Sequence, residues 1–165
     1  MTLETPLTGG CQCGAVRFSV SEIGRASICF CRMCQKASGS IGGAFVSAKA
    51  FTYTRGSPSH FQSSSRAKRG FCSACGTPLT FETARGVDFS IAAFDRAGDL
   101  PPVIQLAPEA RLPWTDGLCT LPTRTPEEAA RVAPEYAAIR SFQHPDHDTD
   151  AWPAASRETS PETIP

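Results

Sequence analysis

The sequence predicts a mainly β fold of short antiparallel strands cross-linked through cysteine clusters, closing in a short helix and a loosely held tail. Three observations predict it. Segments of alternating apolar and polar residues recur along the chain, Gly, Pro and Ser punctuate them, and seven of the eight cysteines fall in three groups.

From Ala15, AVRFSV sets Val16, Phe18 and Val20 against Arg17 and Ser19, the period-two pattern of a half-buried strand. The pair Cys11 and Cys13 thus sits at the mouth of a strand. The same reading covers SICF, then GGAFVSAKAFTYT with Phe45, Val46, Phe51 and Tyr53, then HFQSS, PLTFET, VDFSIAAF and VIQL. Strands this short, separated by turn residues, are joined as antiparallel neighbours.

Helical signal is weak until Thr125, which is an N-cap residue followed by Pro126 at the first helical position and by Glu127 and Glu128 in the first turn. A helix is expected from about Pro126, and Pro134 should kink or end it by removing a donor and crowding the preceding turn. Beyond Phe142, QHPDHDTDAWPAASRETSPETIP has too few apolar groups to offset its ordering entropy and reads as a flexible tail. The chain therefore divides into a domain over residues 1–123 and a helix plus tail over 124–165.

Lys plus Arg equals Asp plus Glu at 16 each, so no field of one sign draws the chain to nucleic acid or to an anionic membrane. The start, MTLETPLTGG, lacks a basic n-region followed by an apolar h-region, and no later run has the length of a membrane span. The expectation is a soluble, cytoplasmic protein with a small-molecule or protein partner.

In a reducing compartment, clustered cysteines are more often metal ligands than disulfides. Cys72-Ser73-Ala74-Cys75-Gly76 has the form of a zinc knuckle, a tight turn that aims two sulfurs at one ion. Cys11 and Cys13, at i and i+2, present both side chains on one face of an extended segment and are suited to complete that ion's shell. A competing assignment, in which the triplet captures one member of a pair, stays open at this point. The first assignment leaves Cys29, Cys31 and Cys34, in C-F-C-R-M-C, as three ligands with a vacant fourth position, the arrangement of a catalytic zinc.

The other candidates read more simply. His60, His144 and His147 are expected as core or solvated imidazoles, and Cys119 as a small buried hydrophobe. Arg32 and Lys36 flank the triplet, while Arg66, Lys68 and Arg69 precede the knuckle. Such cations lower thiol pKa values or hold a carboxylated substrate.

GGCQCGAVRF, CFCRMCQKASG and RGFCSACGTPLTF, in this order and spacing, resemble the glutathione-dependent formaldehyde-activating (GFA) family, whose domain is shared with centromere protein V. The resemblance covers roughly Leu7 to Pro122. It implies two stacked antiparallel sheets, the β-tent, with Cys11, Cys13, Cys72 and Cys75 on a structural zinc and Cys29, Cys31 and Cys34 on a catalytic one. It also implies carbon–sulfur lyase chemistry that interconverts formaldehyde plus glutathione with S-hydroxymethylglutathione. Two positions depart from the family pattern: Phe30 lies where His is often found within the triplet, and Gln105 lies where a His is expected after Pro102. The rival reading is a non-catalytic binding module in which zinc organises a surface for a protein or for chromatin. The chain's neutral balance weighs against nucleic acid.

Overall fold

The computed structural model describes residues 1–152. Its strands are β1 (Thr2–Gly10), β2 (Arg17–Cys29), β3 (Gly43–Arg55), β4 (Ser59–Ser64), β5 (Ala67–Phe71), β6 (Pro78–Thr83), β7 (Gly86–Ser90) and β8 (Gln105–Leu106). Two α-helices accompany them, α1 (Arg32–Ser38) and α2 (Pro126–Ala137). Each alternating segment contributes to a strand, AVRFSV and SICF together forming β2, but Ile91–Ala93 of VDFSIAAF is a 3₁₀ turn and only Gln105–Leu106 of VIQL pair, while β1 and β5 arise without that signal. β1 is an edge strand whose register slips between Thr2 and Leu7, around Pro6, and β5 has the short sequence AKRGF.

Among the described residues, hydrogen bonding joins the eight strands in one sheet of order β1-β2-β3-β7-β6-β5-β4, with β8 parallel to β2. The resemblance implies two stacked sheets; here a single continuous sheet curls upon itself. β2 and β5 are four strand steps apart, about 19 Å in a flat sheet. Yet Cys13, just before β2, and Cys72, just after β5, bring their sulfurs to 3.7 Å. Irregular register between Val20 and Ala26, where β2 pairs with β3, supplies bends of the kind that produce such curl.

The concave side holds the core. Phe18 and Phe89 are fully buried with ring centroids 4.4 Å apart, and Phe94 meets Phe18 edge-on at 5.0 Å. Val16, Phe18 and Val20 point inward as their alternation requires. Arg17 breaks the pattern because it too is buried: its guanidinium forks onto Asp95 at 2.8 and 2.6 Å, and Asp95 also accepts from the Thr8 hydroxyl at 2.5 Å.

The α2 N-terminus forms a capping box: Glu128 N–H donates to Thr125 Oγ1 at 3.3 Å and Thr125 N–H to Glu128 Oε2 at 3.0 Å. The helix does not stop at Pro134 but continues to Ala137, and Ala138 N–H closes its end on the Pro134 and Glu135 carbonyls. Residues 143–152, expected from composition to belong to a flexible tail, are instead held against the β1–β2 turn. His144 N–H donates to Gln12 O at 2.7 Å, Asp148 accepts from Arg17 Nε at 2.8 Å, and Trp152 Nε1 donates to Cys13 O at 2.7 Å. Residues 143–152 thus form a strap across the first cysteine pair. The part of the tail expectation that covers 153–165 lies outside the described residues.

Candidate metal centres

Cys11 and Cys13 lie in the turn between β1 and β2 rather than in an extended segment. Gly14 N–H donates to Cys11 O at 2.9 Å, and Gly14 holds φ at +79°, a left-handed conformation that glycine adopts without strain. Their sulfurs converge because of this turn, not because of strand periodicity. Cys72 and Cys75 form the second arm as the knuckle spacing predicts: Gly76 N–H donates to Cys72 O at 2.8 Å with φ +77°.

The four sulfurs lie within 4.8 Å of one another, with Cys11 to Cys13 at 3.5 Å and Cys13 to Cys72 at 3.7 Å. Zinc–sulfur bonds of about 2.3 Å in a tetrahedron place sulfurs about 3.8 Å apart. The donor set and its spacing therefore fit a four-thiolate zinc. Burial pushes the metal-free Cys11 thiol up to about 12, despite the Val16 N–H on its sulfur. At Cys75 burial opposes the anion, but the Thr77 hydroxyl and the Thr77 and Cys13 amides bring the thiol down to about 6. A cation at the centre would supply the compensation the buried thiolates lack.

The second cluster is built where β2 runs into α1. Cys29 ends the strand, Cys31 is the N-cap of α1 and Cys34 lies on its inner side; the three sulfurs also lie within 4.8 Å of one another. Among the described residues no fourth His, Cys, Asp or Glu joins this group. Cys31 and Cys29 are half-buried and Cys34 is buried. Burial alone would raise the Cys31 thiol, but amides of the first helical turn and the neighbouring sulfurs hold it below its ordinary value. Burial dominates at Cys34, pushing it up to about 12 although Arg69 Nη2 donates to its sulfur at 3.5 Å.

Of the five cations considered from sequence, Arg69 is the one that reaches a triplet sulfur, and its guanidinium also stacks 4.9 Å from the Phe81 ring centroid. Arg32 turns instead to Gln35 Oε1 at 3.2 Å, Lys68 pairs with Glu82 at 3.1 Å, and Lys36 is exposed. Gln35 itself had no signal in the sequence. It is buried and donates to Phe30 O at 2.7 Å and Ala110 O at 2.9 Å, tying the triplet loop to the segment after β8.

The two positions that depart from the family pattern meet in space. Ile28 pairs with Gln105, Phe30 N–H donates to Leu106 O at 2.9 Å, and Phe30 and Gln105 line one cavity of about 360 Å³ with Arg111. A buried aromatic ring and an exposed amide side chain thus share one cavity wall next to the β2–α1 junction. The histidines remain outside both centres: His60 pairs with Glu82 at 2.8 Å, His144 is buried in the strap, and His147 is exposed. Cys119 is exposed rather than buried, because the 3₁₀ turns over Pro113–Thr120 bury none of their residues.

A curled antiparallel sheet carrying a four-sulfur and a three-sulfur cluster defines a cysteine-rich β protein with two candidate zinc centres. The sequence model of the glutathione-dependent formaldehyde-activating enzymes matches residues 6–115, and the chain belongs to that family. A protein of known crystal structure from Rhodobacter sphaeroides is 24% identical, covering 59% of this chain and 98% of its own, with a TM-score of 0.47. No curated protein shows significant sequence similarity to the chain. Among the described residues, no helix is long and apolar enough to cross a membrane.

Proposed function

We propose that the protein is a zinc-dependent carbon–sulfur lyase that forms or cleaves a small thiol adduct of the S-hydroxymethylglutathione type. The observation that carries this reading is the inequality of the two clusters: four sulfurs close one centre, whereas three, with no further ligand among the described residues, leave the other open. In this reading Cys11, Cys13, Cys72 and Cys75 hold a structural zinc, and Cys29, Cys31 and Cys34 hold a catalytic one. When bound at the triplet, zinc supplies an electrophilic site that stabilises a thiolate and a developing oxyanion.

In the forward direction the sulfur of R–SH adds to the carbonyl carbon of formaldehyde. The S–C bond forms, the π pair of C=O moves to oxygen, and the thiol proton ends on that oxygen to give R–S–CH₂OH. No oxidant is consumed, and the reverse step returns the same atoms. The chain's own part is to orient and to balance charge. The β2–α1 junction fixes the three sulfurs, Gln35 holds their loop, and Arg69 sets a positive charge against the Cys34 sulfur, offsetting the excess negative charge of three thiolates.

The test is to follow hydroxymethyl adduct formation from glutathione and formaldehyde with zinc-loaded protein and with Cys31→Ser. A rate above the buffer control that the substitution abolishes supports the proposal. A rate equal to buffer for every thiol tried rejects it in favour of a binding role.

A further inference from the structure

A second cavity approaches the triplet through Arg69 and the inner edge of α1. It measures about 370 Å³ and is walled by Phe45 of β3, Phe61 of β4, Phe71 of β5, and Pro78 and Leu79 of β6. Ala37 and Ser38 form its edge on α1, the helix that carries Cys34, and Ser38 Oγ donates to Cys34 O at 2.9 Å. The Phe45 ring covers Gly43 so closely that a Cβ there would lie 2.4 Å from Cε2, and the same position lies 3.5 Å from Cys34 Cβ. Arg69 is the one charged residue among the described residues lining the cavity, and it is the residue that touches the Cys34 sulfur.

These walls select against a peptide thiol. Glutathione carries two carboxylates and an ammonium. Of these, a site with one arginine already facing a sulfur and an aromatic ring offers a partner to a single carboxylate. The remaining charges would lose water without compensation if they entered. An aryl or branched alkyl body matches the three phenylalanines and the leucine, and the volume lies in the range of small-ligand pockets. The imidazole-free cavity at Phe30 and Gln105 adds no cation to hold carboxylates except Arg111, which is engaged by Asp116 at 2.8 Å.

We infer that the cavity between Phe45, Phe61, Phe71 and Leu79 binds the carbon body of the thiol substrate, and that this body is aromatic or alkyl rather than a charged peptide. The inference rests on the reading of the triplet as the reactive centre. It makes the thiol class a property of this chain's own walls: R in R–SH is an uncharged aryl or alkyl group.

Phenylmethanethiol and glutathione present the same sulfur, so a difference between them reports on the body they carry. Titrations of the zinc-loaded protein with each thiol, read by NMR, should give a dissociation constant at least tenfold lower for phenylmethanethiol. Phe61→Glu places a carboxylate at the rim, where Phe61 is 63% exposed and its loss leaves the core intact; it should remove that preference. Phe45→Leu should weaken it. Glutathione binding as tightly as phenylmethanethiol, or a preference untouched by both substitutions, overturns the inference. Adduct formation with formaldehyde, measured in parallel, separates this from the lyase reading. Faster turnover of glutathione rejects the apolar subsite and leaves the lyase standing. Preferential binding of phenylmethanethiol with no adduct from either thiol supports the subsite and rejects the lyase.

Discussion

Gly14 and Gly76 form a natural pair for measuring what the strap contributes. Both follow a cysteine pair of the four-sulfur centre, and both hold a left-handed φ, +79° and +77°. A Cβ on Gly76 meets nothing within 4 Å, whereas a Cβ on Gly14 would lie 2.1 Å from His144 Cδ2, far inside the contact distance of about 3.5 Å. Gly76→Ala should therefore lose only the dihedral term, about 1–2 kcal/mol. Gly14→Ala should lose the same term and also expel His144. That breaks the 2.7 Å bond from His144 N–H to Gln12 O and disturbs the bonds of Asp148 to Arg17 and of Trp152 to Cys13 O. With about 1 kcal/mol for each of two or three such bonds, Gly14→Ala should be roughly 2–3 kcal/mol less stable than Gly76→Ala. Urea denaturation of the zinc-loaded proteins measures the difference, and Trp152 emission should shift toward that of solvent-exposed indole in Gly14→Ala alone. A difference below about 0.5 kcal/mol, set against the bond energies above, or an unshifted Trp152, would show that the strap does not bear on this turn.

The strap should also respond to acid. Burial and the nearby Arg17 and Arg55 charges hold His144 below its ordinary value of 6.5, with Asp95 acting in the opposite direction. Arg55 Nη1 lies 3.3 Å from His144 Nε2, which accepts when Nδ1 carries the proton toward Pro145 O at 2.7 Å. The unfolded chain then binds more protons than the folded one below pH 6.5, so this contribution is present above 6.5 and is lost as pH falls through the folded value. His144→Gln should flatten stability against pH over that interval; an unchanged slope would remove His144 as its source. Asp95 behaves as a carboxylate with a depressed pKa: burial works against it, but Arg17 and Thr8 outweigh burial. Its stabilisation should be full above about pH 4 and fade below, and Asp95→Asn should cost several kcal/mol by leaving Arg17 buried without its fork. For the metal centres, Cys31→Ser should retain the fold while zinc content falls from about two to about one, and Cys72→Ser should lose cooperative unfolding altogether. Equal zinc loss and equal stability in the two variants would refute the division of labour. Phe89→Ala should destabilise by about 3–5 kcal/mol in calorimetry, since its ring is fully buried against Phe18, Phe51 and Phe94.

What could be read from the chain and what could not follow from the range of the interactions involved. The knuckle Cys72–Cys75 is local, so its turn glycine and its spacing appear in consecutive letters, and the strands from β2 onward, β5 excepted, declare themselves through alternating apolar and polar letters. Arg17 itself is misread by that rule, because its burial depends on Asp95, distant in sequence, and on Asp148, more distant still. The strap is hidden for the same reason. Its letters are polar, so composition assigns it to disorder, yet it is held one group at a time by acceptors and cations of the β1–β2 turn, Gln12 O, Cys13 O and Arg17. Among five cations near the cysteines, only the curl of the sheet decides that β5 delivers Arg69 to Cys34 while Lys68, its neighbour on the opposite face, goes to Glu82. The same curl unites Phe45, Phe61, Phe71 and Leu79 from four strands into one wall. Candidate metal ligands can be counted in a sequence because cysteine is scarce and clustered. The phenylalanines proposed to receive the substrate carry no such signal, because only the fold gathers them into one wall.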